Sequence, residues 1–142
     1  MKDTNKWKYE GVNSVFCCLG SQTKHGDETF IKIDKTYPLQ IADIAKQNGI
    51  KHYSLVSSIG ADSSSWFLYP RTKGEVEAEL SKKGLPVLSI FRPGLLKNRP
   101  DARFVEKLAG YLPFFPKIES PDFAKCLRLE AEKNHNEGYS KG

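Results

Sequence analysis

The chain has 142 residues, 39% hydrophobic, 11% aromatic and 27% charged, with 11 Gly and 8 Pro. This suits one domain with a real core and excludes collagen-like, fibrous and wholly disordered chains. The net charge of +5 invites a nucleic-acid reading, but the basic residues are scattered among acidic ones, so a solvated mixed-charge surface is expected and no nucleic-acid partner.

In chain order, the amino terminus Met1–Lys6 carries charge without a following apolar core, so no secretory signal is expected there. Val12–Leu19 is β-branched and apolar and ends at Gly20, as a buried strand would. Even this run falls far short of the ~20 residues a membrane helix needs, so no membrane span is expected. Ser21–Asp27 is polar and contains Gly26, hence a loop. From Glu28 to Asn48 the apolar residues Phe30, Ile33, Tyr37, Ile41 and Ile44 step by three and four, the helical period. Pro38 predicts a kink or a late helix start, and Gly49 a stop. Tyr53–Ser57 predicts a second strand and Ser58–Trp66 a polar loop. Tyr69–Lys83 predicts a helix with Val76 and Leu80 inward and Glu75, Glu77 and Glu79 outward. Val87–Phe91 is the third strand, stopped by Arg92-Pro93-Gly94. Weaker signals predict a helix around Ala102–Leu112, a turn at Pro113–Pro116, a helix around Asp122–Lys133 and a frayed Asn134–Gly142. Trp7, Trp66 and Phe114-Phe115 are expected to be core or loop anchors.

Three cysteines form an odd set. Adjacent strand residues face opposite sides, so Cys17 and Cys18 are poorly placed to bond each other. Free thiols in a reducing compartment, cytoplasmic with mitochondrial surface or nucleus left open, are the expectation. His25, His52 and His135 lie far apart, and no metal site is expected.

Strand–helix–strand–helix–strand with short connections implies right-handed crossovers and a parallel α/β sheet. The expected fold is thus a partial Rossmann-like doubly wound parallel sheet, its second βαβαβ half, with C-terminal helices. Residues 1–142 would form one domain, with 95–142 as a substrate or partner region within it.

Chemistry concentrates where the three strands end. Tyr69 and Lys73 share one helix face, so an ammonium beside the phenol would lower its pKa and let it exchange a proton with a carbonyl or alcohol oxygen. Pro70 suits the first helical turn. Ser57-Ser58 closes the second strand at the carboxyl edge, where a hydroxyl could orient a substrate carbonyl. Leu19-Gly20 and Pro93-Gly94 bring glycines to the same edge, where backbone can approach a ligand.

Four segments together resemble a short-chain dehydrogenase/reductase, in the atypical branch of the Tat-interacting-protein oxidoreductases and their fungal mitochondrial relatives. They are Phe16–Gly20, Leu55–Asp62, Phe67–Tyr69 with Lys73–Glu77, and Phe91–Leu96. The resemblance implies an NAD(P)-dependent oxidoreductase, with NADP or NAD as cofactor and a small carbonyl or alcohol as substrate. It implies Tyr69 as catalytic acid/base, Lys73 tuning it and holding the nicotinamide ribose, and Ser57 (ahead of Ser58) binding the carbonyl. Leu19, Gly20, Pro93 and Gly94 would flank the nicotinamide.

Two departures stand out. Ile33-Asp34-Lys35 occupies the stretch where many short-chain dehydrogenases carry a proton-relay Asn, so the relay is altered or absent. Met1–Val12 holds no glycine-rich pyrophosphate turn, which leaves the adenosine half of a cofactor site without residues. A partial version of a longer reductase is the expectation, with the first strand's edge open to self-association or a protein partner. The alternative is a non-catalytic regulatory or protein-binding module on the same scaffold.

Overall fold

The computed structural model describes residues 9–97 and 117–139. Three strands form a parallel sheet in the order β1 (Ser14–Cys17), β2 (His52–Val56) and β3 (Val87–Phe91). Ser14 lies opposite His52, and His52 opposite Val87, so the strands run in register and end at one edge. β1 is shorter than the apolar run Val12–Leu19, whose ends Val12 and Leu19 are exposed, though the Asn13 carbonyl still accepts from His52 N–H at 3.0 Å.

The segment after β1 departs most from simple periodicity. Helix α1 (Asp27–Ile31) passes into a π-helical turn, Lys32–Thr36, and then into α2 (Tyr37–Gln47). Pro38 has no N–H to donate to the carbonyl four residues earlier, that of Asp34, so the irregularity precedes the proline. The expected kink is therefore a widened turn carrying Asp34. The buried face is Phe30, Asp34, Pro38, Ala42 and Ala45, while Ile33, Tyr37, Ile41 and Ile44 of the expected stripe are half-buried. Small residues bring α2 close to the sheet.

Helix α3 (Leu68–Ser81) follows β2 and buries Thr72, Lys73, Gly74, Val76, Glu77 and Leu80. With α2 it covers one sheet face, where Cys17, Tyr53, Leu55, Ala42, Ala45, Ile50, Val76 and Leu80 form the core. Tyr53 is buried there and donates to the Pro38 carbonyl at 2.8 Å.

The other face carries helix α4 (Ser120–Asn136), which sets Phe123 edge-on to Phe91. It runs past the expected Lys133, so Asn134–Asn136 are helical, and Asn134 Nδ2 bonds the Glu130 carbonyl at 2.8 Å. This face is polar: His52 lies between the hydroxyls of Ser14 (3.3 Å) and Ser89 (3.0 Å). A short parallel pair, β4 (Leu95–Lys97) with β5 (Lys117–Glu119), was not legible in the sequence. The sequence-predicted helix around Ala102–Leu112, the turn at Pro113–Pro116 and Trp7 lie outside the described residues.

Candidate functional site

Because all three strands are parallel, their carboxyl ends share one edge, and the segments after them meet there. The backbone ties these segments together. Ser57 N–H donates to the Phe91 carbonyl at 2.8 Å and Ile59 N–H to the Pro93 carbonyl at 3.1 Å. Ser57 is buried, and its hydroxyl has no hydrogen-bond partner. Ser58 instead donates to the Ile59 carbonyl at 3.0 Å. An unpartnered buried hydroxyl is costly, and this distinguishes Ser57 from Ser58, although Ser54 within β2 has one too.

Tyr69 and Lys73 stand on the first two turns of α3, with the Lys73 Nζ 6.0 Å from the Tyr69 ring centroid. Tyr69 is backed by Phe30, whose ring centroid lies 5.6 Å away. The helix start is fixed from the loop before it. Asp62 N–H donates to the Pro70 carbonyl at 2.9 Å, and Arg71 Nη1 donates to the Trp66 carbonyl at 3.1 Å. The Asp62 carboxylate accepts from the Ser64 hydroxyl and N–H, which holds its carboxyl below the usual carboxylate range. Trp66 side chain is 95% exposed, so it is no core anchor; the loop is pinned by its backbone and turns the indole outward.

The Lys73 ammonium does not lie open. It is buried and ion-paired with Asp34 Oδ1 at 2.7 Å. Asp34 Oδ2 accepts from Ser21 N–H at 2.8 Å and from Ser21 Oγ at 2.7 Å. One carboxylate thus joins the π turn, α3 and the segment after β1. The stretch Ile33-Asp34-Lys35 thus places a carboxylate directly against the lysine. Ser21, expected only to open a polar loop, is thus a partner of this carboxylate. The signal for Asp34 was its spacing, four after Phe30 and four before Pro38, on the buried stripe.

Of the other expected residues, Leu19 and Gly20 follow β1 and are exposed, and Gly20 abuts Asp34, whose Oδ1 would lie 3.7 Å from an added Cβ. Pro93 and Gly94 follow β3 and are half-buried. Glu77, expected to face outward, is buried and gripped by the Arg92 guanidinium, with Nε 3.0 Å from Oε1. A carboxylate this close holds Arg92 more firmly protonated than usual. Cys17 is buried and Cys18 exposed, both as free thiols. Partial burial, and then the Cys17 sulfur, push the Cys18 thiol up. Among the described residues there is no cluster of metal-ligating side chains. No described helix is long and apolar enough to cross a membrane.

A family model described as NAD(P)H-binding matches residues 4–127. HTATIP2 of Rattus norvegicus is 43% identical over 111 residues, covering 74% of this chain and 46% of that protein. The mitochondrial protein FMP52 of Candida albicans is 42% identical over 102 residues, 66% of this chain and 44% of that protein. A mitochondrial fmp52-1 of Aspergillus oryzae is 32% identical over 122 residues, 77% of this chain and 52% of that protein. The chain therefore spans about half the length of the curated relatives it matches. Among solved structures, MoeE5 in complex with UDP-glucose and NAD matches with a TM-score of 0.68 at 12% identity, covering 89% of this chain and 56% of that one. That match shows the Rossmann-like fold.

The residues present suit one end of a nicotinamide dinucleotide. The Ser57 hydroxyl after β2 lacks a partner, and Lys73 is tied through Asp34 to Ser21, beside Gly20 after β1. No glycine-rich phosphate turn opens a helix among the described residues. With the family model covering most of the sequence, the chain belongs to the NAD(P)H-binding family of Rossmann-like proteins and is a homologue of HTATIP2.

Proposed function

We propose that this chain carries the catalytic half of an NAD(P)-dependent short-chain dehydrogenase/reductase acting on a small carbonyl or alcohol. The observations that support it are the buried, unpartnered Ser57 hydroxyl just after β2 and the Tyr69–Lys73 pair at the start of α3, the helix that follows. Ser57 would hold the substrate oxygen, Tyr69 would give or take the proton at that oxygen, and Lys73 would hold the cofactor's ribose. Leu19, Gly20, Pro93 and Gly94 would form the walls beside the ring. When bound, the nicotinamide supplies or accepts the hydride, and the protein's part is position and a proton.

The test is fluorescence titration with NADPH and NADH, followed by turnover of a panel of aldehydes, ketones and alcohols. Tyr69→Phe should abolish turnover, at least a ~100-fold loss, while leaving cofactor affinity and fold unchanged. Retained turnover in that variant removes Tyr69 from the chemistry.

One observation favours a second reading, a protein-binding module. Among the described residues β1 pairs only with β2, and Phe16 on that edge strand is 43% exposed. An uncovered strand edge can take up another chain. No cofactor binding at millimolar NADPH, together with concentration-dependent association lost on adding charge at Phe16, would favour it. Two compartments are proposed, cytoplasm from the free thiols and mitochondria from the fungal relatives' names, to be separated by cell fractionation.

A further inference from the structure

Two aromatic side chains stand out from the packed body. The Trp66 indole is 95% exposed and the Phe67 ring 78%, while no other described large apolar side chain exceeds 47%. Adjacent rings left in water forgo a large gain from burial, and such surfaces mark places where a ligand is taken up. Their position decides which ligand. They lie on the segment that runs from Ser57, after β2, to Tyr69 on the first turn of α3, and Phe67 is the N-cap of that helix. We propose that Trp66 and Phe67 are specificity-determining residues that cover the hydrocarbon body of the substrate, so that the site takes apolar ketones and aldehydes.

The backbone holds the two rings out on a fixed arm. Ser64 donates to Asp62 Oδ1 from its N–H at 2.9 Å and from its hydroxyl at 2.6 Å. Ser65 N–H donates to the Asp62 carbonyl at 3.1 Å, and Phe67 N–H to Ser65 Oγ at 3.2 Å. Arg71 Nη1 reaches back to the carbonyls of Ser65 and Trp66, and Gly74 lets α3 lie against the backbone of Asp62 and Ser63. Little further ordering is needed when a ligand covers rings set out in this way. The charged side chains of the arm are engaged within it, Asp62 by Ser64 and Arg71 by the loop carbonyls. What it offers outward is aromatic surface.

The inference rests on the proposed roles of Ser57 and Tyr69 and deepens them by naming the substrate class. Helical side chains lean toward the helix N-terminus, so a phenol on the first turn of α3 is inclined to the end that Phe67 caps. A substrate whose oxygen meets Ser57 and Tyr69 touches both ends of the segment that carries the rings, and its remaining carbons extend beside them. Each methylene so covered favours the complex by about 4-fold, a gain that a short polar carbonyl compound does not have.

The test is the dependence of kcat/KM on chain length for straight-chain 2-alkanones from propanone to 2-nonanone, with NADPH and NADH. In the wild type kcat/KM should rise about 3-fold or more per methylene. The double variant Trp66→Ala/Phe67→Ala, its fold confirmed by circular dichroism, should flatten that rise, with the loss for long ketones falling on KM rather than kcat. A second measurement needs no cofactor. The chain has two tryptophans, so Trp7→Phe leaves Trp66 as the sole indole emitter. There 2-nonanol, a product of the longest ketone, should move the emission to shorter wavelength, whereas 2-propanol at the same concentration should not, and adding Phe67→Ala should weaken the shift. Equal chain-length dependence in wild type and double variant, or an emission that 2-nonanol leaves unmoved, overturns the proposal. An emission that shifts with protein concentration alone means that a second copy covers the rings, and overturns it too. If 2-nonanol moves the emission but no ketone is reduced, the apolar surface stands and the reductase reading falls.

Discussion

Gly74 lies so close to the loop before α3 that an added Cβ would stand 2.1 Å from the backbone nitrogen of Ser63. The obstacle is backbone, and the Asp62 carbonyl carbon at 2.4 Å shares it, so no side-chain rotation relieves the contact. The glycine is there for close packing, and it seats the helix that carries Tyr69 and Lys73. Gly74→Ala should cost about 3 kcal/mol or more in urea unfolding, above the usual range for overpacking because neither partner can yield. A loss below about 1 kcal/mol would mean that the loop and helix are not in contact in solution.

Arg92 and Glu77 tie the end of β3 to the middle of α3. Removing the arginine strands a buried carboxylate, whereas removing both charges does not. Arg92→Ala should cost about 1–2 kcal/mol, the figure being held down because the guanidinium is half exposed. Adding Glu77→Gln should recover part of that loss. Strict additivity of the two substitutions would show that the pair is not formed.

Tyr53 should make stability fall in alkali. Burial, and then the neighbouring Cys17 sulfur, push its phenol well above the ordinary value of 10.0. Below that value both folded and unfolded chains keep the proton. Above it the unfolded chain releases the proton while the folded chain retains it, so stability is lost as pH rises. Tyr53→Phe should lower stability at neutral pH by about 1 kcal/mol, for the lost bond to Pro38, and flatten the alkaline slope. Urea midpoints across the alkaline range read both effects, and an unchanged slope would place Tyr53 outside the core.

The three thiols should react in a fixed order. Cys126 is exposed on α4, Cys18 is partly covered with its thiol pushed up, and Cys17 is buried. Dithiobis-nitrobenzoate at neutral pH should modify Cys126 first and Cys18 more slowly, with Cys17 waiting for denaturant. Mass mapping of the labelled peptides checks the order. Early labelling of Cys17 would contradict the packing of β1 against α2.

The sequence by itself determined the alternation of strands and helices, the shared helix face of Tyr69 and Lys73, and the place of Ser57 and the strand-end glycines after the parallel strands. Those features depend on local period, because a helix places residues four apart on one face and parallel strands end together. Only the tertiary structure decided the partners of the charges. Nothing near Lys73 or Asp34 in sequence names the other, and Glu77 reads as solvent-facing until Arg92 arrives from beyond β3. The π turn likewise needs Pro38 to deny a donor while α3 presents Lys73 opposite it. Which buried charge meets which is set by how distant elements pack, and an ion pair is worth forming only where packing has already excluded water.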